Sequence, residues 1–102
     1  MEKELVHKHL LIKAEVQNPP TDEEQTINWM KKLIDKINMN ILAGPYSSKV
    51  SKKGNKGLSG VAIIDTSHIS IHTWDEQNPA LIQLDVYSCK EFKKADVIDC
   101  LE

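Results

Sequence analysis

Gly57-Leu58-Ser59-Gly60-Val61-Ala62-Ile63-Ile64-Asp65-Thr66-Ser67-His68-Ile69-Ser70-Ile71-His72-Thr73-Trp74 contains two short runs rich in Ile, Val, Leu and Ala. They read as strands over 58–65 and 68–74, separated by too few residues for anything but a tight antiparallel hairpin. In that hairpin Ser59 comes near His72, while Ser67 stands at the far tip. Ser67 and His72 are five residues apart, so on one extended strand their Cα atoms lie roughly 16 Å from each other. They cannot touch. Ser59 and His72 therefore form one group, and Ser67 needs partners from elsewhere.

Outward from the hairpin, 80–88 reads as a further strand, with Asp75-Glu76-Gln77-Asn78-Pro79 as the loop before it. Upstream, Lys52-Lys53-Gly54-Asn55-Lys56-Gly57 is a turn signal whose glycines can supply positive φ. Ile41–Val50 reads as a strand bent at Gly44-Pro45, and residues 5–16 as another that ends at Asn18-Pro19-Pro20. Thr21-Asp22-Glu23-Glu24 has the form of a capping box with Thr21 as N-cap. The helix that follows places Ile27, Met30, Leu33, Ile34 and Ile37 on one face, the spacing of a helix laid on a sheet. Asn38 to Asn40 closes it. Phe92, Ala95 and Ile98 give 91–101 a helical spacing. The order β-α-β-β-β-β-α predicts an α+β two-layer sandwich, an antiparallel sheet with helices packed on one face.

At 102 residues the chain is expected to form one domain, 1–102, near the low end of what buries a sufficient core alone. Aromatic residues make up only 5%, so that core must rest on Ile, Leu and Val, and a small core of this kind leads us to expect oligomerisation. The formal charge of −2 exerts no general pull towards nucleic acid or an anionic membrane. No apolar run approaches the ~20 residues needed to span a bilayer. Met1-Glu2-Lys3-Glu4 lacks the features of a secretory signal. Two cysteines, Cys89 and Cys100, are too few for a disulfide framework, so a cytoplasmic protein with reduced thiols is expected. The basic loop Lys49, Lys52, Lys53 and Lys56 has no aromatic platform beside it and reads as a solvated hairpin. His7-Lys8-His9 and His68-x-x-x-His72 each put two imidazoles on one strand face, but no cysteine or carboxylate stands at ligand spacing, and no metal is expected. The chain stops at Glu102 without a closing strand, which leads us to expect a C-terminally truncated sequence.

Gly57-Leu58-Ser59-Gly60, then Ser67-His68-Ile69-Ser70-Ile71-His72-Thr73-Trp74-x-Glu76, then Asp85-Val86-Tyr87-Ser88-Cys89 together resemble the bacterial and archaeal S-adenosylmethionine decarboxylase proenzymes of spermidine synthesis. The likeness extends in element order over most of 5–100. It departs from the family pattern at Thr66, where glutamate is usual, at Asp75 (proline) and at Lys90 (glycine). Asn18-Pro19-Pro20, Lys-x-Gly-Asn-x-Gly over 52–57 and Trp74-Asp75-Glu76 resemble short homologues carried by bacteriophages. The resemblance implies that Ser67 attacks the carbonyl of Thr66, that the chain is cut between Thr66 and Ser67, and that Ser67 becomes a pyruvoyl group. Such a group is an electron sink for decarboxylation made from the chain itself. It further implies that Ser59 and His72 assist self-cleavage, with His72 as the acid/base group, that Cys89 returns a proton to the decarboxylated carbon, and that Glu76 holds the substrate ribose.

Read by themselves, the same residues also fit plainer roles. Ser67 would be a turn hydroxyl, Cys89 a small core residue, and Glu76 a solvated loop carboxylate. Strand lengths add one expectation to the family's: a two-fold dimer brings Ser67 and Cys89 of one subunit to Ser59, His72 and Glu76 of the other, making two shared sites. The substrate expected is S-adenosylmethionine. The alternatives are an uncleaved, non-catalytic homologue acting as a nucleoside-binding or regulatory dimer, and a pyruvoyl-dependent decarboxylase of ornithine or arginine.

Overall fold

A computed structural model describes residues 7–101. Its elements are β1 (Lys8–Val16), α1 (Glu23–Lys36), β2 (Ile41–Val50), β3 (Gly57–Ile64), β4 (Ser67–Trp74), β5 (Ala80–Ser88) and α2 (Lys94–Cys100). The expected beginning of the first strand, at Leu5 and Val6, lies outside the described residues. All strand pairs are antiparallel, in the order β1-β5-β4-β3-β2. The strands β2 to β5 are consecutive neighbours, whereas β1 joins the far edge beside β5. Consequently α1 has to carry the chain from one edge of the sheet to the other. Its 14 residues make about 21 Å of helix, close to the ~19 Å width of five strands.

Local chemistry sets the ends of α1. The N-cap is Asp22, not Thr21: its carboxylate accepts the Gln25 N–H at 2.7 Å. Gln25 reaches back to accept from the backbone N–H and hydroxyl of Thr21, at 2.9 and 3.0 Å. The cap therefore sits one residue later than the Thr21/Glu24 reading, because Asp22 offers the stronger charged acceptor, and Gln25 returns its bond to Thr21 before the cap rather than to the Asp22 N–H. At the other end Asn38 takes φ 66°, Asn38 N–H donates to Asp35 O, and Met39 N–H donates to Ile34 O. This is a Schellman ending with asparagine in the left-handed position. The second helix begins at Lys94, three residues later than expected, after a Lys93 N-cap that has no side-chain cap bond.

One face of the sheet is covered. Met30, Leu33, Ile34 and Ile37 of α1 pack with Ala62, Ile64, Ile69, Ile71, Ile82, Leu84, Val86, Phe92 and Val97. Each fully buried side chain of this size contributes roughly 1.5–3 kcal/mol. The expected stripe on α1 is corrected at one position: Thr26, not Ile27, is fully buried. Gly60 explains it. A Cβ there would lie 2.8 Å from Met30 Sδ and 3.0 Å from Thr26 Cγ2, so α1 sits close over β3. The Thr26 hydroxyl is satisfied by Asp22 O at 3.0 Å.

The other face carries no helix. Strand register aligns its residues in rows: His9, Tyr87, His68 and Ile63; Leu11, Asp85, Ser70, Val61 and Tyr46; Lys13, Gln83, His72, Ser59 and Ser48. Leu11, Tyr46, Ile63 and Val61 are 68, 61, 50 and 45% exposed, so a substantial apolar area on this face meets solvent. Bend and bulge accommodate β2, whose register slips between Ile41 and Ala43 and between Ala43 and Tyr46, around Gly44-Pro45. No helix among the described residues is long and apolar enough to cross a membrane.

Candidate active site

The β3–β4 hairpin turns through Asp65 and Thr66, and Ile64 pairs with Ser67 across it. Its tip is fastened to two neighbours. Asp65 accepts from Asn40 Nδ2 at 3.0 Å and from Asn40 N–H at 3.3 Å, and its own N–H donates to Asn40 O. These bonds hold its carboxyl below the ordinary value, the Asn40 side chain being the largest cause. Thr66 is held by the chain after β5. Lys90 N–H donates to Ser88 Oγ, Ser88 Oγ–H to Thr66 Oγ1, and Thr66 Oγ1–H to Met39 Sδ, at 2.9, 2.9 and 3.1 Å.

The Thr66 carbonyl accepts the backbone N–H of Cys89 at 2.8 Å. A donor in that position withdraws charge from the carbonyl and would stabilise an oxyanion developing on it. On the other side of the same peptide bond, Ser67 has φ 152°, a conformation that L side chains rarely adopt. Such outliers cost of order 1–3 kcal/mol and persist where the surroundings impose them. Ser67 Oγ has a local partner, His68 Nδ1, at 3.3 Å. The half-buried Cys89 therefore meets this peptide bond through its backbone.

At the opposite end of the hairpin, Ser59 and His72 are register partners, with Oγ 2.9 Å from Nδ1. The His72 ring stacks on Trp74 with centroids 6.0 Å apart, and Trp74 Nε1–H donates to Asn55 Oδ1 at 2.7 Å. Glu76 lies at this end too, accepting Lys56 N–H at 3.1 Å. A shallow cavity of about 210 Å³ is lined here by Ser59, His72, Trp74, Asn55 and Gly57. The structure thus joins Thr66, Ser67 and Cys89 at the tip, joins Ser59 and His72 at the base with Glu76 nearby, and keeps the two groups apart within one protomer.

A third cluster lies beside the tip; three of its residues stand in the quoted motif, but nothing in their spacing shows that they meet. His9 Nε2 is 2.7 Å from Asp85 Oδ1, and His68 Nε2 is 4.0 Å from the same oxygen. Tyr87 stands between the imidazoles, with ring centroids 5.0 Å from His9 and 5.7 Å from His68. Among the described residues no group of three or more His, Cys, Asp or Glu is arranged to hold a metal ion. Of the two histidine pairs weighed from sequence, His68 and His72 are split, since His68 faces His9 across β5 while His72 faces Ser59, whereas His7 and His9 both lie against Tyr87.

The family model described as S-adenosylmethionine decarboxylase matches residues 8–102. A Clostridium botulinum S-adenosylmethionine decarboxylase proenzyme is 37% identical over 68 residues, covering 67% of this chain and 53% of that protein. The proenzyme of Archaeoglobus fulgidus is 31% identical over 75 residues, 72% of this chain and 61% of its own length. That of Pyrococcus furiosus is 58% identical over 40 residues, 39% of this chain and 26% of its own. The chain spans about half the length of the curated relatives it matches.

Proposed function

The chain belongs to the S-adenosylmethionine decarboxylase family, and from that premise we propose that it is a proenzyme that cuts its own Thr66–Ser67 bond and then acts, as a homodimer, as a pyruvoyl-dependent decarboxylase of S-adenosylmethionine in spermidine synthesis. The observation that carries this reading is the state of that one peptide bond. Its carbonyl accepts Cys89 N–H at 2.8 Å, and its nitrogen belongs to a serine at φ 152°. Both favour attack by Ser67 Oγ on Thr66 carbonyl carbon: the first stabilises the charge that develops, and the second is relieved when the C–N bond opens.

A pyruvoyl group made from Ser67 supplies an electron sink for loss of CO₂. Around it, Cys89 carries the thiol that returns a proton, and the Glu76 carboxylate, exposed at the base of the hairpin, binds ribose hydroxyls. Ser59 and His72 assist self-cleavage, with His72 as the acid/base group. Their separation from Ser67, roughly 16 Å along β4, requires that they come from a second copy. The open sheet face, with Leu11, Tyr46, Val61 and Ile63 exposed, is where that copy packs. An isologous two-fold pairing across it brings Ser59 and His72 of the partner subunit to each Ser67.

Intact mass tests the proposal. Incubation near neutral pH should convert the chain to fragments 1–66 and 67–102, the second lacking its amine and carrying a carbonyl in place of serine. Ser67→Ala should abolish cleavage while leaving the circular dichroism spectrum and the dimer unchanged. A single uncut species after prolonged incubation refutes the proenzyme reading. Cleaved protein that releases CO₂ from arginine or ornithine, and none from S-adenosylmethionine, refutes the substrate.

A further inference from the structure

Within each protomer, the geometry points to His68, set beside Asp85 and Tyr87, as the base that takes the proton from Ser67 Oγ in the first step of self-cleavage. The inference rests on the self-cleaving reading above and assigns a residue to one of its steps.

Three observations carry it. His68 Nδ1 lies 3.3 Å from Ser67 Oγ, the one imidazole among the described residues hydrogen-bonded to that hydroxyl. Its other nitrogen, Nε2, points towards the carboxylate of Asp85 at 4.0 Å. That distance is too long for a hydrogen bond in the resting state, but it is within ion-pair range once the ring is charged. The ring is also kept in place: His68 and Tyr87 are register partners, with centroids 5.7 Å apart and planes inclined by 31°. A hydroxyl, an imidazole and a carboxylate therefore follow one another in the order that general-base chemistry needs.

The step balances without any co-reactant. The Ser67 Oγ–H proton passes to His68 Nδ1 as Oγ forms its bond to the Thr66 carbonyl carbon. The negative charge on the carbonyl oxygen is met by Cys89 N–H. Collapse breaks the Thr66–Ser67 C–N bond, and His68 returns the proton to the departing nitrogen. The amide becomes an ester and a free amine with no change in composition. Asp85 is a positioning residue here, acting by stabilising the imidazolium. His68 must start neutral to accept this proton. The groups facing the ring are Asp85 and Tyr87 of β5 and His9 of β1, with His7 on the far side of Tyr87 at 3.2 Å from its hydroxyl; the β3 neighbour, Ile63, is apolar.

Hydroxylamine, which cuts esters far faster than amides, reads this step apart from the final cleavage. With wild-type protein it should split the chain after Thr66. In His68→Ala the hydroxylamine-dependent rate should fall roughly 100-fold or more, the usual contribution of a general base. Added imidazole should restore part of it, because the His68 side chain is 48% exposed. Asp85→Asn should lower the rate about tenfold, since a neutral amide cannot stabilise the charged ring formed in the step, and Asp85→Glu, which keeps the charge, should recover part of it. Asp85→Asn decides the matter should His68→Ala fail to fold. A wild-type rate in His68→Ala or in Asp85→Asn overturns the assignment to His68 and leaves the decarboxylase reading standing. Wild-type protein that resists hydroxylamine and never splits overturns both.

Discussion

Replacing Gly57 by alanine should damage the fold and the site together, and the size of the effect follows from one distance. A Cβ on Gly57 would lie 1.7 Å from the Thr73 carbonyl oxygen and 2.8 Å from its carbon. Both atoms are backbone, so no side-chain rotation relieves the contact, and β3 must move from β4 by more than an ångström. The hydrogen bonds at that end of the ladder, around the Leu58–Thr73 pair, would then exceed bonding distance. Two lost bonds at ~1 kcal/mol each, with 1–2 kcal/mol of residual strain, give a destabilisation of about 3–4 kcal/mol. That is a large share of the roughly 5–15 kcal/mol typical of a domain. Urea denaturation should register a fall in midpoint of ~1–3 M. Ser59 and His72 lie one register pair further on, so their 2.9 Å contact should lengthen and self-cleavage should slow. Gly54→Ala is the control. It has φ +83° but nothing within 4 Å of its Cβ, so it should cost only the ~1 kcal/mol of the left-handed conformation and leave cleavage unchanged. If Gly57→Ala loses no more stability than Gly54→Ala and cleaves at the wild-type rate, the close-approach argument is wrong.

Asp22→Ala removes the carboxylate that caps α1 and should cost about 1 kcal/mol in denaturant unfolding, whereas Thr21→Ala should cost less; the reverse ranking would restore Thr21 as the cap. Leu84→Ala, at the centre of β5 and fully buried in the core, should cost ~2–5 kcal/mol, and a smaller loss would mean that the core relaxes around it. The Asp65 carboxyl is held below its ordinary value of 3.8, chiefly by Asn40. Its stabilising contribution is therefore complete above that value and lost as pH falls through the lowered folded value. The stability gap between wild type and Asn40→Ala should narrow below about pH 4, and a gap constant down to pH 2 would contradict the assignment. Burial pushes the Cys100 thiol up, so its alkylation near neutral pH should be slow and should accelerate on unfolding in urea; equal rates in both states would show that the thiol is already open.

Much of the fold was legible in the chain. Alternation placed β3, β4 and β5 within a residue or so of their observed limits, because one face of each is buried and a period of two is hard to mistake. The helical stripe placed α1 but took Ile27 for Thr26, since hydrophobicity alone does not reveal that a glycine on the strand below leaves room for a threonine methyl. The start of α2 is not legible in the chain because no side chain caps it. At the site, the Ser59–His72 pairing followed from hairpin length alone. The cluster of His68, Asp85, Tyr87 and His9 did not, because those residues come from three strands and meet only through sheet order.

What the sequence determined by itself is local: which runs are strands, where the hairpin turns, and that Ser67 cannot reach its own His72. These depend on a fixed rise per residue and on side-chain alternation, both properties of a short stretch of chain. What only the tertiary structure decided is which distant segments close around the Thr66–Ser67 bond. Placing β1 against β5 rather than β2 brings His9 to Asp85, and the chain leaving β5 brings Cys89 N–H to the Thr66 carbonyl. Strand order is a choice made by the burial of the whole apolar face under the helical layer. No local pattern encodes it, so the partners of the reactive bond become visible only once the sheet is assembled.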